Sequence, residues 1–286
     1  MVRHIKRYRI LAFQDFDTRA VMLTDRIEET WEQKVKEQHL ENRDKIVRRL
    51  VAEFGELESE RKIQNFIDLG SKPFSIIAFH NRFFAQARTA YVMGAYYPSL
   101  TAACALGERI LNHLILILRE DFKATPEYKR VYRKDSFDDW TLAIDTLVAW
   151  DVLLPKVAGK FRELMQKRHE ALHFRPETDR NDQQLTLNAI KCLQEIIGQQ
   201  FSGFGPQPWF ITGIPGEIYL KKEWEAKPFI AKVYLPNGVL VGPHHRIESL
   251  IPTIKIVDLK DYQSAGISDE EFVRLRLVFN AGGRRG

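Results

Sequence analysis

Cysteine is nearly missing from this chain: two residues in 286, Cys104 and Cys192. Both fall in apolar helical patterns, which reads as buried free thiols in a reducing compartment rather than a disulfide. Long hydrophobic runs are missing as well. The most apolar stretch, residues 110–118, is short and broken by Asn112 and His113, so no segment is expected to span a membrane. The basic opening, Met1-Val2-Arg3-His4-Ile5-Lys6-Arg7-Tyr8-Arg9, lacks the apolar core and cleavage site of a secretion signal, which makes the cytoplasm the expected location. Charge has no dominant sign. With 43 Lys+Arg against 38 Asp+Glu the formal net charge is +5, which permits a nucleic-acid partner without requiring one. What remains is 44% hydrophobic and 28% charged, the composition of an ordinary globular protein long enough to bury a full core.

Periodicity divides the chain. Residues 18–68 read as long helix with nearly balanced charge, interrupted at Gly55, and residues 1–72 as an N-terminal helical extension. Gly70-Ser71-Lys72-Pro73 breaks that pattern. Residues 73–204 read as a helical domain: a segment over 74–94, then a restart at Tyr96-Tyr97-Pro98-Ser99 with the proline in a first turn. Leu100, Ala103, Cys104, Gly107, Leu111, Leu114, Ile115 and Leu118 follow at core-helix spacing, with Gly107 suggesting close helix packing. A polar loop over 125–135, a helix over 137–152, one from Pro155 that must stop near Arg175, and one over 182–200 complete the set. Residues 205–286 read as a small β-rich module with strands at 209–211, 217–220, 229–235 and 239–241. An Asn237-Gly238 hairpin turn and a helix starting at Asp269 belong to it. The expected fold is therefore mainly α, with a C-terminal β-rich module.

The stretch Lys167-Arg168-His169-Glu170-Ala171-Leu172-His173-Phe174 satisfies two catalytic signatures. As His-Glu-x-x-His it puts His169 and His173 on one helical face as zinc ligands, with Glu170 as base and Glu195 on the next helix as a third ligand, the arrangement of a metallopeptidase. Its flanks oppose that reading. Lys167, Arg168 and Arg175 surround the ligands with positive charge, and Pro176 puts His173 in a final turn, whereas a zinc helix continues past its second ligand.

The second signature is an arginine separated by four residues from a histidine. With Tyr96 to Arg109 as a first helix and this octet at the end of a third, residues 96–200 resemble the HEPN superfamily of four-helix ribonuclease and nucleotide-binding domains. His169 matches the polar residue that commonly follows the arginine there. The resemblance implies a metal-independent endoribonuclease needing no cofactor, a toxin or antiviral defence effector whose partner is RNA. In it the ribose 2′-hydroxyl attacks the adjacent phosphorus, His173 moves the proton, Arg168 stabilises the phosphorane charge, and His169 orients His173 or contacts the phosphate. It also implies a homodimer with a composite site, an antitoxin or defence-system partner protein, and no activity on DNA. Arg168 and His173 diverge by about 140° on an ideal helix, but a fraying last turn lets His173 swing toward the arginine. The helix C-terminus favours an imidazolium there.

Quieter readings stand beside these. Arg168 serves equally as a solvated charge and His173 as a C-cap, in a binding module that does not cut. Glu108 and Asn112, one turn apart, are candidate supporting residues for the same cleft. Gly242-Pro243-His244-His245-Arg246 reads as a strand-to-loop turn rather than a phosphate or metal patch, since no third ligand is apparent, and Trp209, Trp224 and Tyr234 as core of the β-rich module rather than stacking platforms for RNA bases.

Overall fold

The computed structural model describes residues 5–11, 15–76, 78–172, 181–249, 253–262 and 265–283. The chain is mainly helical and divides into two compact units: Asp15–Phe201, and the segments on either side of it. The first strand, β1 (Arg7–Ile10), belongs to the second unit, so the segment 1–72 is not a single helical extension.

The larger unit starts with β2 (Asp15–Asp17), α1 (Arg19–Thr24), α2 (Gln33–Phe54) and α3 (Ser59–Leu69). The long helix read over 18–68 with an interruption at Gly55 is three helices, the break at Gly55 being joined by a second one between Thr24 and Gln33. Between α1 and α2, Arg43 on α2 donates to the carbonyls of Met22 and Asp25, satisfying groups that α1 leaves open and folding it back. Gly55, at φ +83°, ends α2 in a conformation that other residues avoid. The segment read as one helix over 74–94 is divided too. Pro73 holds extended backbone in β3 (Lys72–Ser75), which pairs antiparallel with β2, and α4 (His80–Val92) follows.

The core of this unit forms around α5 (Tyr96–Leu118). Its Leu100, Ala103, Cys104, Leu106, Ile110, Leu111, Leu114, Ile115 and Leu118 are all at most 2% exposed. Those residues cover more than one face, so α5 packs against α4, α7 (Trp140–Ala149), α8 (Pro155–Leu172) and α9 (Asp182–Gln200). By length and composition α5, with the turn after it to Phe122, could cross a membrane, contrary to the expectation that no segment could; its packing makes it the central core helix instead. The loop read over 125–135 holds one helical turn, α6 (Tyr128–Val131). The helix read over 137–152 is shorter, because the Asp139 carboxylate caps α7 by accepting from the Leu142 amide at 2.9 Å. Pro155 opens α8 as read, at a position whose amide is not needed.

In the second unit β1 lies inside a four-stranded sheet of order β4 (Phe210–Ile211), β5 (Tyr219–Leu220), β1, β6 (Gly238–Val241). The strand read over 229–235 is helical instead, Ile230–Tyr234 continuing into a tight turn at Leu235–Asn237. Ile230 and Tyr234, four apart on one helical face, are both fully buried, and Tyr234 Oη donates to the Ser202 carbonyl at 3.0 Å. The Asn237-Gly238 hairpin is therefore not formed; β6 takes β1 as its antiparallel partner, Arg7 opposite Val241. A separate hairpin joins β7 (His245–Ser249) and β8 (Lys255–Asp258), and α10 (Asp269–Gly283) packs Phe272 against Tyr219. Trp209 and Tyr234 are buried among Phe210, Trp224 and Phe229, which assigns them to the core as read.

Candidate functional site

Gly107 sets the geometry from which the site grows. A Cβ at this position would lie 2.7 Å from Leu164 Cδ2 and 2.7 Å from Trp140 Cη2, so only glycine lets α5 come this close to α7 and α8. The next residue, Glu108, then reaches both of those helices. Its Oε2 accepts from Trp140 Nε1 at 3.1 Å and pairs with Arg168 Nη2 at 3.1 Å. The Arg168 guanidinium also lies 5.9 Å from the centre of the Trp140 ring. Three helices thus fix one arginine near the end of α8, its side chain 24% exposed.

Of the expected residues, Arg168 and Glu108 come together. Asn112 lies one turn further along α5, but its side chain is used to hold the chain entering α7. Its Nδ2 donates to the Glu108 and Phe137 carbonyls at 2.9 Å each, and its Oδ1 accepts from the Phe137 amide at 2.6 Å. His169 is exposed on α8. His173, the expected proton-transfer residue, lies outside the described residues, as do Phe174, Arg175 and Pro176.

Glu195, the third zinc ligand of the alternative reading, is drawn elsewhere. It pairs with Lys160 Nζ at 2.9 Å. Lys160 precedes His169 by nine residues, about 13 Å along the helix axis, so the structure does not bring Glu195 to His169. Among the described residues no group of three or more His, Cys, Asp or Glu is disposed to hold a metal ion. Both thiols are buried, and burial pushes each up to about 12, which keeps them protonated and unreactive.

Beside the Glu108–Arg168 pair opens a cleft of about 360 Å³ whose walls include Phe79, Phe83, Glu108, Arg109, Asn112 and His113. The sequence reading missed Arg109 and His113, which stand four residues apart and so share a face of α5. Arg109 lies over the Phe83 ring at 4.9 Å, and His113 stacks on Phe79 with ring centres 4.0 Å apart. Burial, and then the Arg109 charge, hold the His113 imidazolium below its ordinary pKa, so at neutral pH the ring is neutral and can accept a proton. The signal was present in the Arg109-x-x-x-His113 spacing; the surrounding apolar periodicity marked the segment as pure core.

Compared with protein-family models, curated proteins and solved structures, the chain matches none of them.

Proposed function

We propose that this protein is a metal-independent endoribonuclease of the HEPN type, with Arg168 binding the scissile phosphate and His173 moving the proton. The observation that carries the reading is the setting of Arg168. The arginine of the motif stands near the end of α8, held by Glu108 of α5 beside a cleft walled by Phe79, Phe83, Arg109 and His113. A guanidinium fixed through one nitrogen keeps further donors for the non-bridging oxygens of a phosphodiester. The chemistry is attack of the ribose 2′-hydroxyl on the adjacent phosphorus, giving a 2′,3′-cyclic phosphate and a free 5′-hydroxyl. In this reading RNA is the substrate, a second copy of the chain completes the site, and the biological setting is a toxin or defence system with a cognate regulatory partner.

The test is cleavage of single-stranded RNA in excess EDTA by the purified chain. We expect cleavage to fall about 10²–10⁴-fold in His173→Ala and comparably in Arg168→Ala. A DNA oligonucleotide of the same sequence should remain intact. Cleavage unchanged in both variants refutes the assignment.

A second reading is favoured by the same ion pair. Because Glu108 neutralises Arg168, the pair also serves as a structural tie between α5 and α8 in a module that binds a partner without cutting. Stable folding with no RNA turnover, in the wild type and in both variants, is the outcome that selects it.

A further inference from the structure

The unit built from the two ends of the chain holds a cleft of its own, about 430 Å³, lined among others by Arg9, Glu217, His245, Arg246, Arg276 and Asn280. We propose that this cleft binds the oxyanion head group, phosphate or carboxylate, of a small ligand, with Arg9 as the anchoring fork. The two buried arginines that line it are used differently.

Arg276, 4% exposed, spends its donors on the protein. Its Nε and Nη2 each reach the Glu217 carboxylate at 2.7 Å, and its Nη1 donates to the carbonyls of His245 at 2.6 Å and Pro243 at 3.1 Å. Arg9, 6% exposed on β1, behaves differently. Every side-chain contact it makes to a polar atom of the described residues runs through Nη1: His245 Nε2 at 2.7 Å, Glu217 Oε1 at 3.3 Å and Tyr219 Oη at 3.5 Å. The Nε–H and Nη2–H edge, the two-pronged side of a guanidinium, is left to the cleft that Arg9 lines.

His245 holds this orientation without adding charge. Its Nδ1 lies 2.7 Å from the Gly242 carbonyl, which can only accept, so Nδ1 carries the proton and Nε2 offers its lone pair to Arg9. Burial, and next the Arg276 charge, bring its pKa to about 4, so the ring is neutral at pH 7. Tyr219 Oη donates to Glu217 at 2.5 Å and is likewise uncharged. The interior balance is then two guanidinium groups against one carboxylate, an excess of one positive charge. A protein interior holds such an excess at a cost unless a counter-charge meets it. Arg246 at the rim is paired with Glu248 at 3.3 Å, so the attraction comes from the buried pair, and Phe279, whose ring centre lies 5.3 Å from the Arg276 guanidinium, supplies an apolar wall for the remainder of the ligand.

The experiment is isothermal titration calorimetry of the full chain in chloride buffer, with inorganic phosphate as one probe and acetate as the other. Saturable binding of either probe at one site per chain is expected, and which one binds names the head group. Arg9→Lys, which keeps the charge but not the fork, should weaken it roughly tenfold or more. Asn280→Trp fills the cleft from its wall without touching the charge network and should abolish binding, with circular dichroism reporting the fold of each variant. Arg168→Ala, in the other unit, should leave binding unchanged, which separates this site from the ribonuclease reading. Absence of saturable binding by both probes overturns the proposal, as does binding that survives Asn280→Trp or is lost in Arg168→Ala.

Discussion

Replacing Gly107 by alanine isolates the contact on which the helical site depends. The added methyl would meet Leu164 Cδ2 and Trp140 Cη2 at 2.7 Å, whereas ordinary carbon contacts begin near 3.5 Å. Both neighbours are at most 2% exposed and sit on different helices, so neither can swing into solvent. Relief needs roughly 1 Å of movement by α7 or α8, and overpacking of this kind costs about 1–3 kcal/mol. Alanine recovers about 1 kcal/mol of helix propensity, which leaves a net loss between about 0 and 2 kcal/mol. Gly159 on α8 supplies the control, since a Cβ there meets nothing within 4 Å. Gly159→Ala should therefore gain about 0.5–1 kcal/mol. The two variants differ by one identical methyl each, and their difference reads the packing term alone. Thermal unfolding followed by circular dichroism at 222 nm should put Gly107→Ala several degrees below Gly159→Ala, at about 2–4 °C per kcal/mol for a unit of this size. Its Trp140 environment should also change in the near ultraviolet, because the indole that must move donates to Glu108. A Gly107→Ala protein as stable as Gly159→Ala would refute the close approach of α5 to α7 and α8.

Asn112→Ala removes both partners of the Phe137 amide and carbonyl and should cost about 1–3 kcal/mol in urea unfolding. Glu108→Gln keeps an oxygen for Trp140 but removes the charge facing Arg168. If Glu108 positions that arginine, RNA binding rises or holds while turnover falls; turnover unchanged by the substitution would exclude a positioning role. The second unit should lose stability in acid in two stages. His245, neutral in the fold with a pKa of about 4 against 6.5, binds a proton more readily when unfolded. Its contribution, roughly 3 kcal/mol, is complete above pH 6.5 and lost as pH falls through 4. Burial works against ionisation of Glu217, but the bonds from Arg276 and Tyr219 outweigh it and lower the carboxyl to about 2, so its contribution is present above pH 4.5 and lost toward pH 2. The urea stability of wild type minus that of His245→Gln, measured from pH 4 to 7, should rise with pH; a flat difference would contradict the buried neutral imidazole.

The helices were legible wherever burial follows the 3.6-residue period. Residues 182–200 were read with the ends the structure gives, and the role of Gly107 was visible from its place among Ala103, Cys104 and Leu111. Errors came where a distant partner decides. Nothing local shows that Arg43 caps α1, or that the backbone of Arg7–Ile10 supplies the partner strand for Gly238–Val241. Without that strand in view, Asn237-Gly238 reads as a hairpin and residues 229–235 as its first arm. In the site, Glu108 and Asn112 share a helical face, so the sequence nominated both. Only the position of Phe137 separates their roles, since it claims the Asn112 amide and leaves the Glu108 carboxylate for Trp140 and Arg168.

The two units use arginine in opposite ways, and the difference lies in charge balance rather than in exposure. At the helical site one guanidinium meets one carboxylate, and Glu108 also accepts a hydrogen bond from the Trp140 indole N–H. A neutral pair of this kind orients the arginine but exerts little pull on a distant anion, so under the ribonuclease proposal a phosphate would depend on other contacts to arrive, for which Arg109 in the adjoining cleft is the candidate. At the cleft of the second unit two guanidinium groups meet one carboxylate, and the neutral ring of His245 turns Arg9 without cancelling its charge. Attraction there is built in before any ligand enters. Under the two proposals the helical site would hold a phosphodiester in register, and the second cleft would capture an anion.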